Sequence, residues 1–258
     1  MNSPVLECRN LSVRFGGVQA LCQVDFQAIR GDITAIIGPN GAGKTTLLNS
    51  ISGMVSLESG ELLFQGHTIT NYPVHQRNRL GMVRTFQNLE IFSNMTVLEN
   101  VMTGCHGRLP LPAWHSLFRT QKAVALERHI QEEALAALEF VGLADLGPVS
   151  AKELAFGQQR SLELARALAA RPHLLLLDEP AAGLNIAETQ ALADMIVRIR
   201  DTYHISVILV EHDMELVMGI SDAIVVLCFG QVISQGTPTE IQHDPKVIAA
   251  YLGSDEDE

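Results

Sequence analysis

Residues 33–50 read ITAIIGPNGAGKTTLLNS, and this stretch decides the fold class. The short apolar run from Ile33 to Ile37 is typical of a buried β-strand, and the sequence from Lys44 onward is typical of a helix. Between them, residues 38–45 match the pattern GxxxxGK[ST] in full. That pattern is specific when it follows a strand and opens a helix. The sequence therefore predicts an α/β unit built around a phosphate-binding loop.

The residues of this phosphate loop, 38–46, have distinct expected roles toward a nucleoside triphosphate. Glycines let the backbone approach phosphate, and the N-terminus of the following helix adds positive potential. Lys44 is expected to reach the β- and γ-phosphates, and Thr45 is expected to bind Mg²⁺ through its hydroxyl. The predicted nucleotide-binding residues of the loop are Gly38, Pro39, Asn40, Gly41, Ala42, Gly43, Lys44, Thr45 and Thr46.

Further candidate site residues follow two other apolar runs. Four leucines precede Asp178 and Glu179, and such a run is typical of a strand buried on both faces. Open α/β sheets bind ligands at the carboxyl ends of their strands. We therefore expect Asp178 to anchor Mg²⁺ from behind its direct ligands, and Glu179 to orient or deprotonate an attacking water. His212 ends the run ISVILVEH, and it either donates a hydrogen bond to the γ-phosphate or caps a core strand.

The rest of the sequence predicts a mixed architecture. Alternating stretches indicate antiparallel strands at 5–15 and 20–29, and a hairpin-like piece follows at 60–66. Apolar runs indicate strands of a mostly parallel sheet at 174–178, 205–212 and 223–230. The pattern from about 95 to 150 is helical. We expect an α/β fold with a mostly parallel sheet, an antiparallel β region and a helical insertion.

Charge and composition exclude several function classes. The chain of 258 residues has a formal net charge of −11, part of it in the terminal SDEDE. An acidic chain lacks the positive surface that phosphate-backbone binding requires, so no nucleic acid partner is expected. No secretory signal is visible, and the apolar runs are shorter than the roughly 18–20 residues that span a bilayer. These features make a cytoplasmic location the default.

A second glycine-led helix start, LAFGQQR at 154–160, lies far from the phosphate loop in the sequence. A phosphate loop leaves one side of the γ-phosphate exposed, and hydrolysis requires charge stabilisation around that group. A helix N-terminus supplies backbone donors and a favourable dipole. We therefore interpret residues 154–158 as serving a nucleotide that is held by another copy or by a homologous subunit.

The order of these motifs resembles the nucleotide-binding subunits of ABC transporters, over nearly the whole chain. The motifs are the phosphate loop, VRTFQN, LAFGQQR, LLLLDEP, AAGLN and VEHD. The resemblance implies a P-loop NTPase (RecA-like) fold, ATP and Mg²⁺ as cofactors, and ATP hydrolysis coupled to transport. It also implies that two cassettes pack head to tail, each closing its signature segment over the partner's ATP. The implied signature residues are Leu154, Ala155, Phe156, Gly157 and Gln158.

Three further roles rest on this resemblance. Gln87 is implied to sense the γ-phosphate and to bind the metal, and His212 to contact the γ-phosphate. Phe15 either stacks on adenine or packs in the core. The signature segment departs from the family consensus LSGGQ, because Ala155 replaces the serine and Phe156 replaces the first glycine.

The resemblance also implies a domain organisation. The single nucleotide-binding domain, 1–258, divides into an ATP-binding core at 4–88 and 160–236, which includes the antiparallel region, and a helical subdomain at 89–159. A C-terminal helix and acidic tail occupy 237–258. Segment 103–125 either contacts a membrane subunit or lipid, through Trp114, Leu117 and Phe118, or packs these side chains internally.

EPAAGLN and EHDMELVMGISD resemble the ATPase subunits of branched-chain amino acid importers. This branch implies a peripheral location on the cytoplasmic face of the inner membrane. The implied partners are a second cassette, two transmembrane permease subunits and, indirectly, a substrate-binding protein. The ending GTPTEI at 236–241 leaves urea import and lipopolysaccharide export as alternatives. A soluble cassette acting in DNA repair or translation is a further alternative, although such proteins usually carry a coiled-coil insertion or tandem cassettes.

Overall fold

In the computed structural model of the protein, the described residues are 3–85, 87, 89–108 and 121–252. The described strands are β1 (Pro4–Phe15), β2 (Val18–Ile29), β3 (Ile33–Ile37), β4 (Ser59–Phe64), β5 (His67–Thr68), β6 (Met82–Arg84), β7 (Leu174–Asp178), β8 (Ser206–Val210), β9 (Ala223–Cys228) and β10 (Gln231–Gly236). The described α-helices are α1 (Lys44–Ser52), α2 (Val74–Arg79), α3 (Val97–His106), α4 (Gln121–Phe140), α5 (Phe156–Ala169), α6 (Ile186–Tyr203), α7 (Met214–Ile220), α8 (Pro238–Gln242) and α9 (Pro245–Leu252).

The chain forms two compact units. The first contains the residues up to Arg84 and those from His173 onward, and the second contains Thr85–Pro172. Helix α5 lies wholly in the second unit, so the expected boundary at 159/160 falls inside a continuous helix. Trp114, Leu117 and Phe118 lie outside the described residues.

A six-stranded sheet forms the centre of the first unit, in the order β10-β9-β3-β8-β7-β6. The pairs β9-β3, β3-β8, β8-β7 and β7-β6 are parallel, and β10 pairs with β9 in the antiparallel direction. Every residue of β3, β7 and β8 is buried, which explains why these strands consist of continuous apolar runs rather than alternating ones.

The strand register brings the candidate residues to one edge of this sheet. Val210, the last residue of β8, pairs with Ile36 of β3 on one side and with Asp178 of β7 on the other. The phosphate loop, the acid pair after β7 and His212 after β8 therefore leave the sheet at the same end.

A second sheet of the first unit is antiparallel, in the order β2-β1-β4-β5. The β1–β2 hairpin turns at Gly16-Gly17, with Phe15 paired to Val18. Leu6, Leu11 and Leu21 from this hairpin share a buried cluster with Leu47 and Leu48 of α1. The two sheets and α1 therefore share one core, and the predicted α/β class with mostly parallel and antiparallel parts is confirmed.

The second unit is helical where it is described. Helix α3 packs against α4 and α5, and 3₁₀ turns at Ala144–Leu146 and Ala151–Glu153 lead to α5. Thr96 begins α3 with a capping box, in which its hydroxyl accepts the Glu99 N–H and the Glu99 carboxylate accepts the Thr96 N–H.

The expected C-terminal helix is two short helices, because the chain turns at His243-Asp244 and α9 restarts at Pro245. None of the helices in the described ranges combines the length and apolar character that crossing a membrane requires.

Candidate functional site

The phosphate loop connects β3 to α1 and has a backbone shape that suits an anion. Gly38 and Gly43 have φ angles of 151° and 102°, in a region that other residues rarely adopt. The Gly230 N–H donates to the Ala42 carbonyl at 2.9 Å, which holds the loop against the β9–β10 turn. Gly43 is the N-cap of α1 and has no side chain with which to cap it, so the first N–H groups of the helix can bind an anion.

Lys44 folds back over this loop. Its Nζ donates to the Gly38 carbonyl at 2.6 Å and to the Pro39 carbonyl at 3.1 Å. Burial lowers the pKa of Lys44, and the nearby Glu179 carboxylate opposes that shift. The structure therefore brings Lys44 and Glu179 together, as the sequence predicts. Thr45, the next residue of α1, is exposed.

Asp178 lies at the carboxyl end of β7 and is held by an arginine that we had not predicted. Arg84 Nη2 donates to Asp178 Oδ2 at 2.8 Å, and each of these two side chains is only 7% exposed. Arg84 Nη1 donates to Asn49 Oδ1 at 2.7 Å and to Ser52 Oγ at 2.9 Å. Because Asn49 and Ser52 belong to α1, the Asp178 carboxylate is fixed relative to the helix that begins at the phosphate loop.

Glu179 follows Asp178 in a left-handed conformation, with φ of 46°. Its N–H donates to the Val210 carbonyl at 2.8 Å, so the chain stays attached to β8 as it leaves β7. A side chain other than glycine is uncommon in this conformation, and such strain is concentrated at functional sites.

Glu211 is a second residue whose position the sequence did not reveal. It is 1% exposed. Its Oε1 accepts the Ala181 N–H at 2.8 Å, and its Oε2 accepts the His212 N–H at 3.1 Å. One buried carboxylate therefore joins the loops that follow β7 and β8.

His212 and Phe15 are both accessible in the first unit. The His212 side chain is 68% exposed at the end of β8, so it does not cap the core. Phe15 is 51% exposed at the end of β1, which also distinguishes it from a core residue. The hairpin that carries Phe15 also lies against the phosphate loop. Ala20 belongs to β2 of this hairpin, and a Cβ added at Gly43 would lie 2.8 Å from its carbonyl oxygen.

Gln87 and the signature segment, Leu154–Gln158, belong to the second unit. Gln87 is exposed, and its carbonyl accepts a hydrogen bond from Arg160 Nη2 at 2.8 Å. Arg160 is buried in α5, pairs with Glu163 at 3.1 Å, and lies 5.7 Å from the centre of the Phe156 ring. Arg160 therefore joins the Gln87 backbone to the start of α5.

The signature segment begins α5 with an incomplete cap. Ala155 occupies the N-cap position and provides no side-chain acceptor. Gln158 Oε1 accepts the Ala155 N–H at 3.0 Å, which is half of a capping box. Leu154 is buried, whereas Phe156 is 44% exposed. The side chain at the N-cap position therefore accepts no hydrogen bond from the first-turn N–H groups of α5.

Ala155→Ser is expected to stabilise the protein by about 1 kcal/mol, because a hydroxyl at the N-cap accepts an N–H from the first turn. Urea unfolding of the variant and the wild type measures this gain. Ala136→Ser is the matched control, since Ala136 is exposed inside α4 and serine there costs a few tenths of a kcal/mol. Stability that does not rise would contradict the capping argument. If nucleotide-dependent dimerisation and turnover also stay unchanged, the missing hydroxyl has no role in closure.

The loop after β3, the acid pair after β7 and the parallel strand order define a P-loop nucleotide-binding protein. Comparison with protein families is more specific. A family described as ABC transporter matches residues 21–182, and one described as branched-chain amino acid ATP-binding cassette transporter matches residues 231–257. The chain belongs to the ABC transporter family, which confirms the resemblance seen in the motifs.

Relatives match over nearly their whole length. The chain is 44% identical to the high-affinity branched-chain amino acid transport ATP-binding protein BraF of Pseudomonas aeruginosa, over 98% of this chain and 99% of that protein. It is 40% identical to the corresponding protein LivG of Escherichia coli, over the same shares. A crystal structure of a nucleotide-free ATP-binding cassette from an ABC transporter superposes with a TM-score of 0.84 and 33% identity, over 96% of this chain and 99% of that one.

Proposed function

We propose that this chain is the ATP-hydrolysing subunit of an ABC importer for branched-chain amino acids. The observation that carries the proposal is the identity of 40% to 44% with BraF and LivG over 98% of the chain. The alternatives of urea import and lipopolysaccharide export rested on GTPTEI at 236–241. That stretch lies inside the match to the branched-chain amino acid cassette family at 231–257, which favours the importer.

Binding of ATP is assigned to the phosphate loop. The loop amides and the first turn of α1 surround the phosphates, and Lys44 exchanges its two carbonyl partners for β- and γ-phosphate oxygens. The exposed Phe15 stacks on adenine. The residues that follow β7 and β8 provide further side chains of the first unit.

Magnesium fits the donors that the chain provides. Thr45 offers a hydroxyl and Asp178 a carboxylate, and hard oxygen ligands suit Mg²⁺. Thr45 would hold the ion directly, with the Gln87 amide oxygen as a further ligand and Asp178 behind these ligands. When bound, the ion would supply positive charge that neutralises the triphosphate.

Hydrolysis is assigned to the side chains around the γ-phosphate. Glu179 orients the attacking water and accepts its proton, while Lys44 stabilises the charge that develops on the phosphoryl oxygens. His212 donates a hydrogen bond to the γ-phosphate, and Gln87 senses that group. The signature segment of a partner cassette supplies further backbone donors from the start of α5.

The working assembly contains two cassettes packed head to tail, with two ATP molecules between them. It lies against two transmembrane permease subunits on the cytoplasmic face of the inner membrane, and a substrate-binding protein delivers the amino acid. ATP-driven closure moves the permease subunits and hydrolysis resets them.

Transport in cells that lack this chain tests the proposal. Uptake of labelled leucine is expected to fall, to recover with the wild-type chain and to stay low with Lys44→Ala, whereas uptake of labelled urea is unaffected. Affinity purification of the tagged chain from detergent-solubilised membranes is expected to recover two permease subunits. Normal leucine uptake without the chain would contradict the assignment.

A further inference from the structure

The Arg84 guanidinium joins two parts of the candidate site. Its Nη2 contacts Asp178, and its Nη1 contacts Asn49 and Ser52, at distances of 2.7 to 2.9 Å. The Met54 sulfur lies 3.5 Å from the same Nη1. Asp178, Asn49, Ser52 and Met54 all belong to the first unit. Arg84 is also the last residue of β6, after which the chain continues into the second unit.

The contacts of Arg84 with Asp178 and α1 are shielded from solvent. The Arg84 and Asp178 side chains are each 7% exposed, so the pair is screened little by solvent. A planar guanidinium directs its N–H groups at fixed angles, and it can contact the carboxylate and α1 at the same time. A lysine ammonium is a compact charge on a flexible stem and does not reproduce that geometry.

The pair leaves part of the Asp178 carboxylate for another ligand. Arg84 binds Oδ2, and Oδ1 takes no part in that contact. The arginine therefore holds Oδ2 in place, which limits the positions that Oδ1 can take. Groups that orient a metal-site residue in this way change metal affinity by about 10–100-fold when they are removed.

We propose that Arg84 is a positioning residue for the metal site: it holds the Asp178 carboxylate against α1, so that the direct ligands of Mg²⁺ arriving with ATP meet a preset oxygen behind them. The inference rests on the proposed function, because it takes Asp178 as the acid that faces the metal. The guanidinium acts through Asp178 and does not touch the nucleotide.

The test separates metal-dependent from metal-independent nucleotide binding. A fluorescent ATP analogue is titrated into the wild-type chain, Arg84→Lys and Arg84→Gln, once with excess EDTA and once with excess Mg²⁺. The affinity in EDTA is expected to change by less than about twofold, because the phosphate loop and Lys44 are intact. The gain in affinity on adding Mg²⁺ is expected to fall by about tenfold in both variants. Electron paramagnetic resonance of Mn²⁺ in the same complexes reports the metal directly.

Arg77→Lys is the matched control. Arg77 is also a buried arginine beside α1, and its Nη1 donates to the Ser50 and Ile51 carbonyls at 2.7 Å. Its replacement is expected to lower the melting temperature without changing the gain from Mg²⁺. Asn49→Ala removes one anchor of Arg84 and leaves the ion pair, so it should lower the gain by a smaller factor, about threefold. It also keeps the test available if Arg84→Gln does not fold.

Three results are decisive. If Arg84→Lys and Asn49→Ala keep the wild-type gain in nucleotide affinity on adding Mg²⁺, Arg84 is only a structural residue. That result would overturn the inference. A gain that increases would show that Arg84 competes with the metal, and would overturn it equally. A wild-type chain that binds no nucleotide would instead contradict the proposed function.

Discussion

Glu179→Gln is expected to leave ATP affinity within about twofold of the wild type and to lower turnover by about a thousandfold. Glutamine has nearly the same shape as glutamate, so the left-handed turn at residue 179 and the hydrogen bond from its N–H to Val210 are retained. Its amide cannot accept the proton of the attacking water. Phosphate release measures turnover, and equilibrium titration measures binding.

The same variant tests the requirement for a second cassette. If two ATP molecules hold two chains together, a chain that binds ATP without cleaving it should accumulate as a dimer in Mg·ATP, as light scattering will show. Glu61→Gln is the control, because Glu61 lies on the exposed part of β4 in an ion pair with Arg9. Turnover that survives in Glu179→Gln would remove Glu179 from its assigned role. A variant that binds Mg·ATP and stays monomeric would contradict the sandwich.

The sequence was sufficient to predict those parts of the site whose signals lie within one short stretch of the chain. The phosphate loop carries its strand, turn and helix signals within residues 33–50, and Asp178-Glu179 directly follow a run of four leucines. The carboxyl ends of parallel strands meet at one edge, so these segments could be placed together without any contact being known. For this reason the Glu179 carboxylate acts on Lys44, where it opposes the lowering of the lysine pKa by burial.

The residues that hold the site in place could not be predicted, because their partners are distant in the chain. Arg84 is separated from Asp178 by 94 positions and from Asn49 by 35. Glu211 is 30 positions from Ala181, whose N–H it accepts. Neither residue has a periodic pattern around it, and single charged residues at strand ends are usually solvated. Only the folded sheet shows that the Arg84 side chain and Glu211 are buried.

The predicted limit of the helical subdomain at residue 159 rests on a motif rather than on packing. The start of α5 carries the signature segment, and the predicted boundary falls where that motif ends. The helix itself continues to Ala169 and packs with α3 and α4 of the same unit. Packing of the whole apolar face, rather than the motif at its first turn, decides which unit a helix joins.

Gly38→Ala is expected to destabilise the protein by about 3–4 kcal/mol and to weaken ATP binding by about a hundredfold. An added Cβ would lie 2.0 Å from the Leu227 carbonyl oxygen and 3.1 Å from the Ala42 Cβ. The nearest atom is backbone of β9, which pairs with β3 at Ile37–Val226, so it cannot rotate away as a side chain could. The clash can be relieved only if the sheet or the phosphate loop moves. A displaced loop would misplace both its amides and Lys44.

Gly41→Ala separates this close approach from conformational strain alone. Gly41 also has a positive φ, 75°, but a Cβ there would meet no atom within 4 Å. Its replacement should therefore cost only the about 1–2 kcal/mol of the left-handed backbone. Urea unfolding compares the two variants, and titration with Mg·ATP compares their binding. Equal losses of stability in the two variants would mean that the structure relaxes around the contact with β9 at no cost in free energy. In that case the glycines of the loop, rather than the adjacent sheet, hold its anion-binding shape.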